Sequence, residues 1–221
     1  MCFSASASFT AGLALSATGV VTTRIASRST QLPFAAIPLL FGIQQIIEGM
    51  IWLSFHNGSS LPNDVLTFVY SLFSHVLWPI YMPYAVRRVE TVAWRKNALV
   101  ALQIAGLLVG LYLMYFLVLF PVTSNVLGKH IVYESPHFYV LPVMALYLLA
   151  TCGSSLVSSN RVIQLFGALS LATFIGAYAI HVATLVSVWC FFAAVLSAMV
   201  YHYVGRGHVA SPTSERGSQT Q

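Results

Sequence analysis

Charge is what this sequence has least of. Only 7% of its 221 residues are Asp, Glu, Lys or Arg, against about 25% in ordinary soluble proteins. A soluble domain of this length could not cover its surface with so few charges. Hydrophobic residues make up 58%, and the solvent that suits such a chain is a lipid bilayer. Cysteine is also scarce. Cys2, Cys152 and Cys190 form no Cys-x-x-Cys pair, so a disulfide framework is not indicated. The net charge is +5, yet no basic stripe with interleaved aromatics occurs, which argues against nucleic acid as a partner. No positive charge precedes the first apolar run, so residues 3–23 read as a retained helix rather than a secretory signal. The residue after the initiator Met is Cys2 and not Gly, which excludes myristoylation.

What is present is a series of apolar runs. A spanning helix needs about 20 mostly apolar residues. Seven segments meet that length: 3–23, 33–55, 65–86, 97–121, 138–158, 162–182 and 184–205. None shows the short-period alternation of a membrane β-barrel. The boundary between the last two, around His181 to Thr184, carries no Gly, Pro or charge, and length alone divides them. Arg24, Arg28, Arg87, Arg88, Arg95, Lys96, Arg161, Arg206 and Arg216 all fall on alternate connectors, and only Lys129 falls on the other side. Basic residues concentrate in cytoplasmic loops. The expected fold is therefore an all-α polytopic membrane bundle of seven transmembrane helices, N-out and C-in. The membrane domain covers 1–205, and the polar tail 206–221 is expected to be disordered.

Against this apolar background a few polar residues need a reason. Glu48 is the one acidic residue deep in a predicted span, where insertion costs about 2.5–3.5 kcal/mol. Gln45, Glu48 and Trp52 share a helix face by i, i+3, i+7 spacing, with Gln44 one turn away. The carboxyl reads as a proton relay, a metal ligand or a substrate anchor, or as a protonated group held by neighbouring hydrogen bonds. His75 lies in the middle of the third span, on a face with Ser71 and Trp78. Pro79 and Pro83 lack N–H donors and leave carbonyls four residues earlier, at His75 and Pro79, in need of partners. His181 ends the sixth span, one turn after Tyr178. Cys2 is expected at the outer membrane face, where a thiol beside a free amine suits a soft metal. These positions permit one polar pocket opening outward, lined by Cys2, Ser4, Gln45, Glu48, Ser71, His75 and His181. The outer loop carries His130, Glu134 and His137, whose spacing fits no metal-ligand pattern, and it reads as a solvated loop.

The opening Met1-Cys2-Phe3-Ser4-Ala5, the run Phe41-Gly42-Ile43-Gln44-Gln45-Ile46-Ile47-Glu48-Gly49 and the segment from His75 to Trp78-Pro79 resemble an uncharacterised bacterial family of multi-pass membrane proteins. The resemblance covers most of the chain except the polar tail. It implies a multi-pass protein of the bacterial inner membrane and emphasises the same positions, but names no reaction. Two other seven-helix families fit poorly. A retinal protein needs a lysine in its last helix, whereas Lys96 and Lys129 lie in connectors. Membrane hydrolases related to alkaline ceramidase need several zinc-binding histidines, and the last span has only His202.

Three functional readings stand at this point. One is a small-ligand or metal site in the extracytoplasmic half, either a binding site or an enzyme's, with zinc or copper as the candidate transition metal. Another is a transporter or ion-coupled channel using Glu48 and His75. The third is a structural partner in a membrane complex. The expected partners are lipid and a small molecule or ion.

Overall fold

The structure is a computed structural model that describes residues 4–56, 60–120, 122–128, 130–135, 137–138, 140–180 and 185–209. Among the described residues the chain forms helical rods and one two-stranded hairpin. In chain order they are α1 (Ala5–Ile25), α2 (Leu32–Phe55), α3 (Pro62–Val89), α4 (Ala93–Leu119), β1 (Thr123–Leu127), β2 (His130–Glu134), α5 (Leu141–Val157), α6 (Arg161–Ile180) and α7 (Leu185–Gly205). Six of the helices, all but α5, are long and apolar enough to cross a membrane. Both ends of α5 are nevertheless tied to opposite ends of the bundle. Its last carbonyl, that of Val157, accepts a hydrogen bond from Arg95, whereas the residues just before its start, such as Phe138, are buried beside the hairpin.

Local chemistry accounts for the helix ends. Ser4 caps α1, its Oγ accepting from the Ala7 N–H at 3.3 Å. Pro33 stands in the first turn of α2 and Pro142 in that of α5, where a missing N–H costs nothing. The helices then pack through their small residues. In α4, a Cβ added at Gly106 would overlap the Pro79 carbonyl oxygen of α3, so only glycine allows this approach. Aromatic rings fill the centre: Phe41 of α2 stacks on Trp78 of α3 with ring centroids 3.8 Å apart.

The segment between α4 and α5 corrects the reading of a solvated loop. It folds as an antiparallel hairpin with Thr123 opposite Glu134 and Leu127 opposite His130. Gly128 takes the turn at φ 62°, the left-handed region that favours glycine. Ile131 and Tyr133 point into the protein and are buried, while Glu134 points out. This period-2 alternation is the ordinary signature of a half-buried strand. The reason the segment leaves solvent is the large apolar area of Ile131, Tyr133 and Phe138, all of which bury against the bundle.

Contacts sort the connectors into two ends. At one, Tyr81 donates to the Pro33 carbonyl, Glu90 meets Ser159, and Arg95 meets Val157 and Ser158. At the other, Asn63 joins Ser54 and Ser124, and Thr67 donates to Ser124 of the hairpin.

Candidate functional site

Glu48 lies on the inward face of α2 and is fully buried, at 0% exposure. Its carboxylate accepts from Gln45 Nε2 at 3.3 Å, from Ser187 Oγ of α7 at 2.8 Å and from the Tyr133 hydroxyl of β2 at 3.5 Å. Three separate elements therefore meet at one carboxyl group. Tyr133 is held over it by stacking on Tyr70 of α3, with centroids 4.5 Å apart and planes 8° from parallel. One turn below, Gln44 Oε1 accepts from Trp78 Nε1 at 2.8 Å. The Gln44 Nε2 and Gln45 Oε1 atoms are buried and meet no oxygen or nitrogen partner, Gln44 Nε2 having only the Cys190 thiol beside it. The Cys190 thiol of α7 borders Gln44, Tyr70 and Glu48. Cys190 and Trp78 also line an apolar cavity of about 30 Å³, whose wall includes Phe41, Cys152 and Ala193.

His75 sits in a wide turn of α3 spanning Leu72–Leu77, in which the Trp78 N–H bonds to the Phe73 carbonyl five residues back. In this register the donor missing at Pro79 would have served the Ser74 carbonyl, and the Tyr147 hydroxyl of α5 serves it instead. The orphaned carbonyl is thus at Ser74, one residue from the expected position at His75, because the turn is wider than an α-helix. The turn aims the imidazole at the hairpin end. His75 Nδ1 lies 2.8 Å from Ser74 Oγ, and Nε2 lies 3.0 Å from Ser135 Oγ, just after β2. The ring packs on Phe138 at 4.8 Å and is only 2% exposed.

The two centres are therefore distinct but served by one strand end: Tyr133 reaches Glu48 and Ser135 reaches His75. The outward-opening pocket is corrected on this point, since the hairpin lies over both groups and buries them. Two of the supporting residues stand elsewhere. Ser4 is spent on capping α1, and Tyr178 is 46% exposed, with its ring against Phe174. Ser71 is buried, and its hydroxyl lacks a partner. Trp52 is buried on the Glu48 helix. Cys2 and His181 lie outside the described residues. Among the described residues no group of three His, Cys, Asp or Glu side chains is placed to hold a metal ion. Glu134 instead accepts from Thr123 and Asn125 across the hairpin, and His137 stacks on Phe116.

Sequence reasoning missed several partners. Tyr133 and Ser135 were hidden by reading their segment as a loop, although the buried alternation of Ile131 and Tyr133 was a usable signal. Ser187 carried no signal, because a serine within an apolar helix is common in membrane bundles. Glu90 was also overlooked. It joins the two basic connectors, accepting from Thr91 N, Val92 N and Ser159 Oγ on one oxygen and from Ser159 N on the other. Burial alone would raise its pKa, but these donors together hold it below the usual value.

A search of the curated proteins and of the solved structures finds no match to this chain. The family comparison agrees with the resemblance read from the Met-Cys-Phe-Ser-Ala opening and the Glu48 helix: a model for a family of unknown function, DUF6629, matches residues 1–215, and the chain belongs to that family.

Proposed function

We propose that this multi-pass membrane protein binds a small polar-headed molecule at the Glu48 centre, with the hairpin as its cover. The observation that carries the reading is the pair of amide atoms beside the carboxyl that meet no oxygen or nitrogen partner: Gln45 Oε1, and Gln44 Nε2, which has only the weakly accepting Cys190 thiol beside it. Buried polar groups are ordinarily satisfied, and an unpaired one costs about 1–3 kcal/mol. A ligand carrying both an acceptor and a donor would satisfy both. Its apolar portion would occupy the adjoining cavity next to Cys190 and Trp78. A transition metal gains no support from the described residues, because Glu48 and the Cys190 thiol have no third His, Cys, Asp or Glu side chain beside them.

The same reading places seven spans across a bacterial inner membrane, with the N-terminus outside and the hairpin in the extracytoplasmic half. Two facts support it. Nine of the ten Lys and Arg residues fall on one set of connectors, and α5 reaches between the two ends of the bundle. The shortness of α5 follows the buried approach of the chain through Ser135 and Phe138, which takes up length ahead of the helix.

Thermal-shift titration of the purified protein with n-alkyl alcohols and n-alkyl amides of two to six carbons tests the binding site. Wild type is expected to gain stability from members of the series. Glu48→Gln and the cavity-filling Ala193→Leu are expected to lose that response. Equal responses in wild type and both variants, or none in wild type, would refute the site.

A further inference from the structure

The geometry points to a second, catalytic centre: Ser135 is a nucleophile, His75 is its general base, and the substrate is an acyl ester with an apolar chain. Ser135 Oγ lies 3.0 Å from His75 Nε2, the separation expected between a serine nucleophile and its base. The other ring nitrogen lies 2.8 Å from Ser74 Oγ. Ser74 Oγ also lies 3.4 Å from the Ser71 carbonyl, to which it can donate while its oxygen accepts from His75 Nδ1–H. With the Ser74 hydrogen on the Ser71 carbonyl, Nδ1 carries the ring proton and Nε2 presents a lone pair to Ser135, the tautomer the proposal requires. Ser74 acts as a positioning residue, doing for the imidazole what a carboxylate does in a hydrolase triad.

A cavity supplies the second, independent observation. It measures about 10 Å³, room for roughly one water molecule, and opens directly on His75 and Ser135. His137 is its third polar side chain. Phe116, Leu117 and Phe120 form the α4 side of the wall. Phe120 is 57% exposed and looks outward from the bundle. An acyl chain entering from the bilayer between α4 and the hairpin would run along this wall and bring its carbonyl to Ser135.

The chemistry balances with an ester and water as reactants. Ser135 Oγ forms a bond to the carbonyl carbon as its proton passes to His75 Nε2. The carbon–oxygen bond to the leaving group breaks, and that alkoxide departs with the proton as an alcohol. Water then attacks the acyl-serine, its proton passing through His75 to Ser135 Oγ, and a carboxylic acid is released. None of these steps uses Glu48, so this centre and the binding site above stand or fall separately.

The full-length protein in lipid nanodiscs should be treated with an alkyl fluorophosphonate, and the modified residue located by peptide mass. Labelling is expected at Ser135 in wild type, with hydrolysis of 4-nitrophenyl decanoate in parallel. Ser135→Ala should lose both, and His75→Gln should slow labelling by about 100-fold or more. Ser74→Ala should shift the pH profile of labelling, a change that loss of packing alone would not produce. Because His75→Gln could disturb folding, Ser135→Cys provides a further arm: its thiol should be alkylated by iodoacetamide, faster with His75 present than with His75→Gln. Absence of label in wild type, or label unchanged in Ser135→Ala, would overturn the assignment, as would alkylation of Ser135→Cys that does not depend on His75.

Discussion

Tyr133 and Ser135, two residues apart at the end of one strand, place their hydroxyls on Glu48 and His75 respectively. The period of a strand explains the pairing. Residues two apart face the same way, so a single extended segment covers two polar groups contributed by two different helices. Tyr133→Phe keeps the ring that stacks on Tyr70 and removes only the hydroxyl. The expected cost is about 1 kcal/mol, read as a modest fall in melting temperature in detergent. Tyr133→Ala should cost about 3–5 kcal/mol, because a buried ring is lost as well.

The wide turn at His75 depends on Tyr147. Its hydroxyl serves the Ser74 carbonyl that Pro79 leaves without a donor. Tyr147→Phe should destabilise the protein by about 1–3 kcal/mol, the penalty of a buried acceptor left unpaired. Introducing a residue with an N–H at Pro79 should partly restore stability in the Tyr147→Phe background. A thermal double-mutant cycle measures this coupling.

Close approach of α3 and α4 rests on Gly106. Gly106→Ala should cost about 1–3 kcal/mol or block folding, since its methyl would meet the Pro79 carbonyl rather than a flexible side chain. Gly176→Ala is the control: nothing lies within 4 Å of a Cβ there, and alanine is the better helix former. It should leave stability unchanged or raise it. Yield and melting temperature of the two variants separate the cases.

Glu90 makes stability depend on pH. Its pKa in the folded protein lies below the ordinary value of 4.5. Its contribution is therefore fully present above the ordinary carboxylate range and is lost as pH falls through the lower, folded value. Melting temperature should drop on acidification below about pH 4.5 in wild type. Glu90→Gln should be less stable at neutral pH and should show a smaller acid-induced drop. Equal acid sensitivity in both would show that another group is responsible.

Orientation has a direct test. A green fluorescent protein fused after Gln221 should fluoresce in living bacteria if the C-terminus is cytoplasmic, and an alkaline phosphatase fused there should be inactive. The opposite pair of results would reverse the N-out, C-in assignment.

Much of the architecture was legible in the chain itself, for identifiable reasons. Residues 97–121 and 162–182 announce helices because bilayer length and apolar composition act locally, and the observed α4 and α6 lie over them within a few residues. Glu48 and His75 stood out because an ionisable group in an apolar run is unfavourable wherever its partners lie. The hairpin was less legible. Its strands are short, Glu134 and His130 make them look polar, and the alternation of Ile131 and Tyr133 is a signal only two residues long.

The sequence by itself determined a helical membrane protein, because transfer of apolar segments from water is a property of each segment taken alone. Which groups meet was decided by tertiary structure. Ser187 is 139 residues from Glu48 and Ser135 is 60 from His75, and no periodicity spans such distances. Those hydrogen bonds form because folding removes water from every polar atom at once, and the carboxyl and the imidazole must then accept whatever donors and acceptors the packed helices and hairpin bring to them.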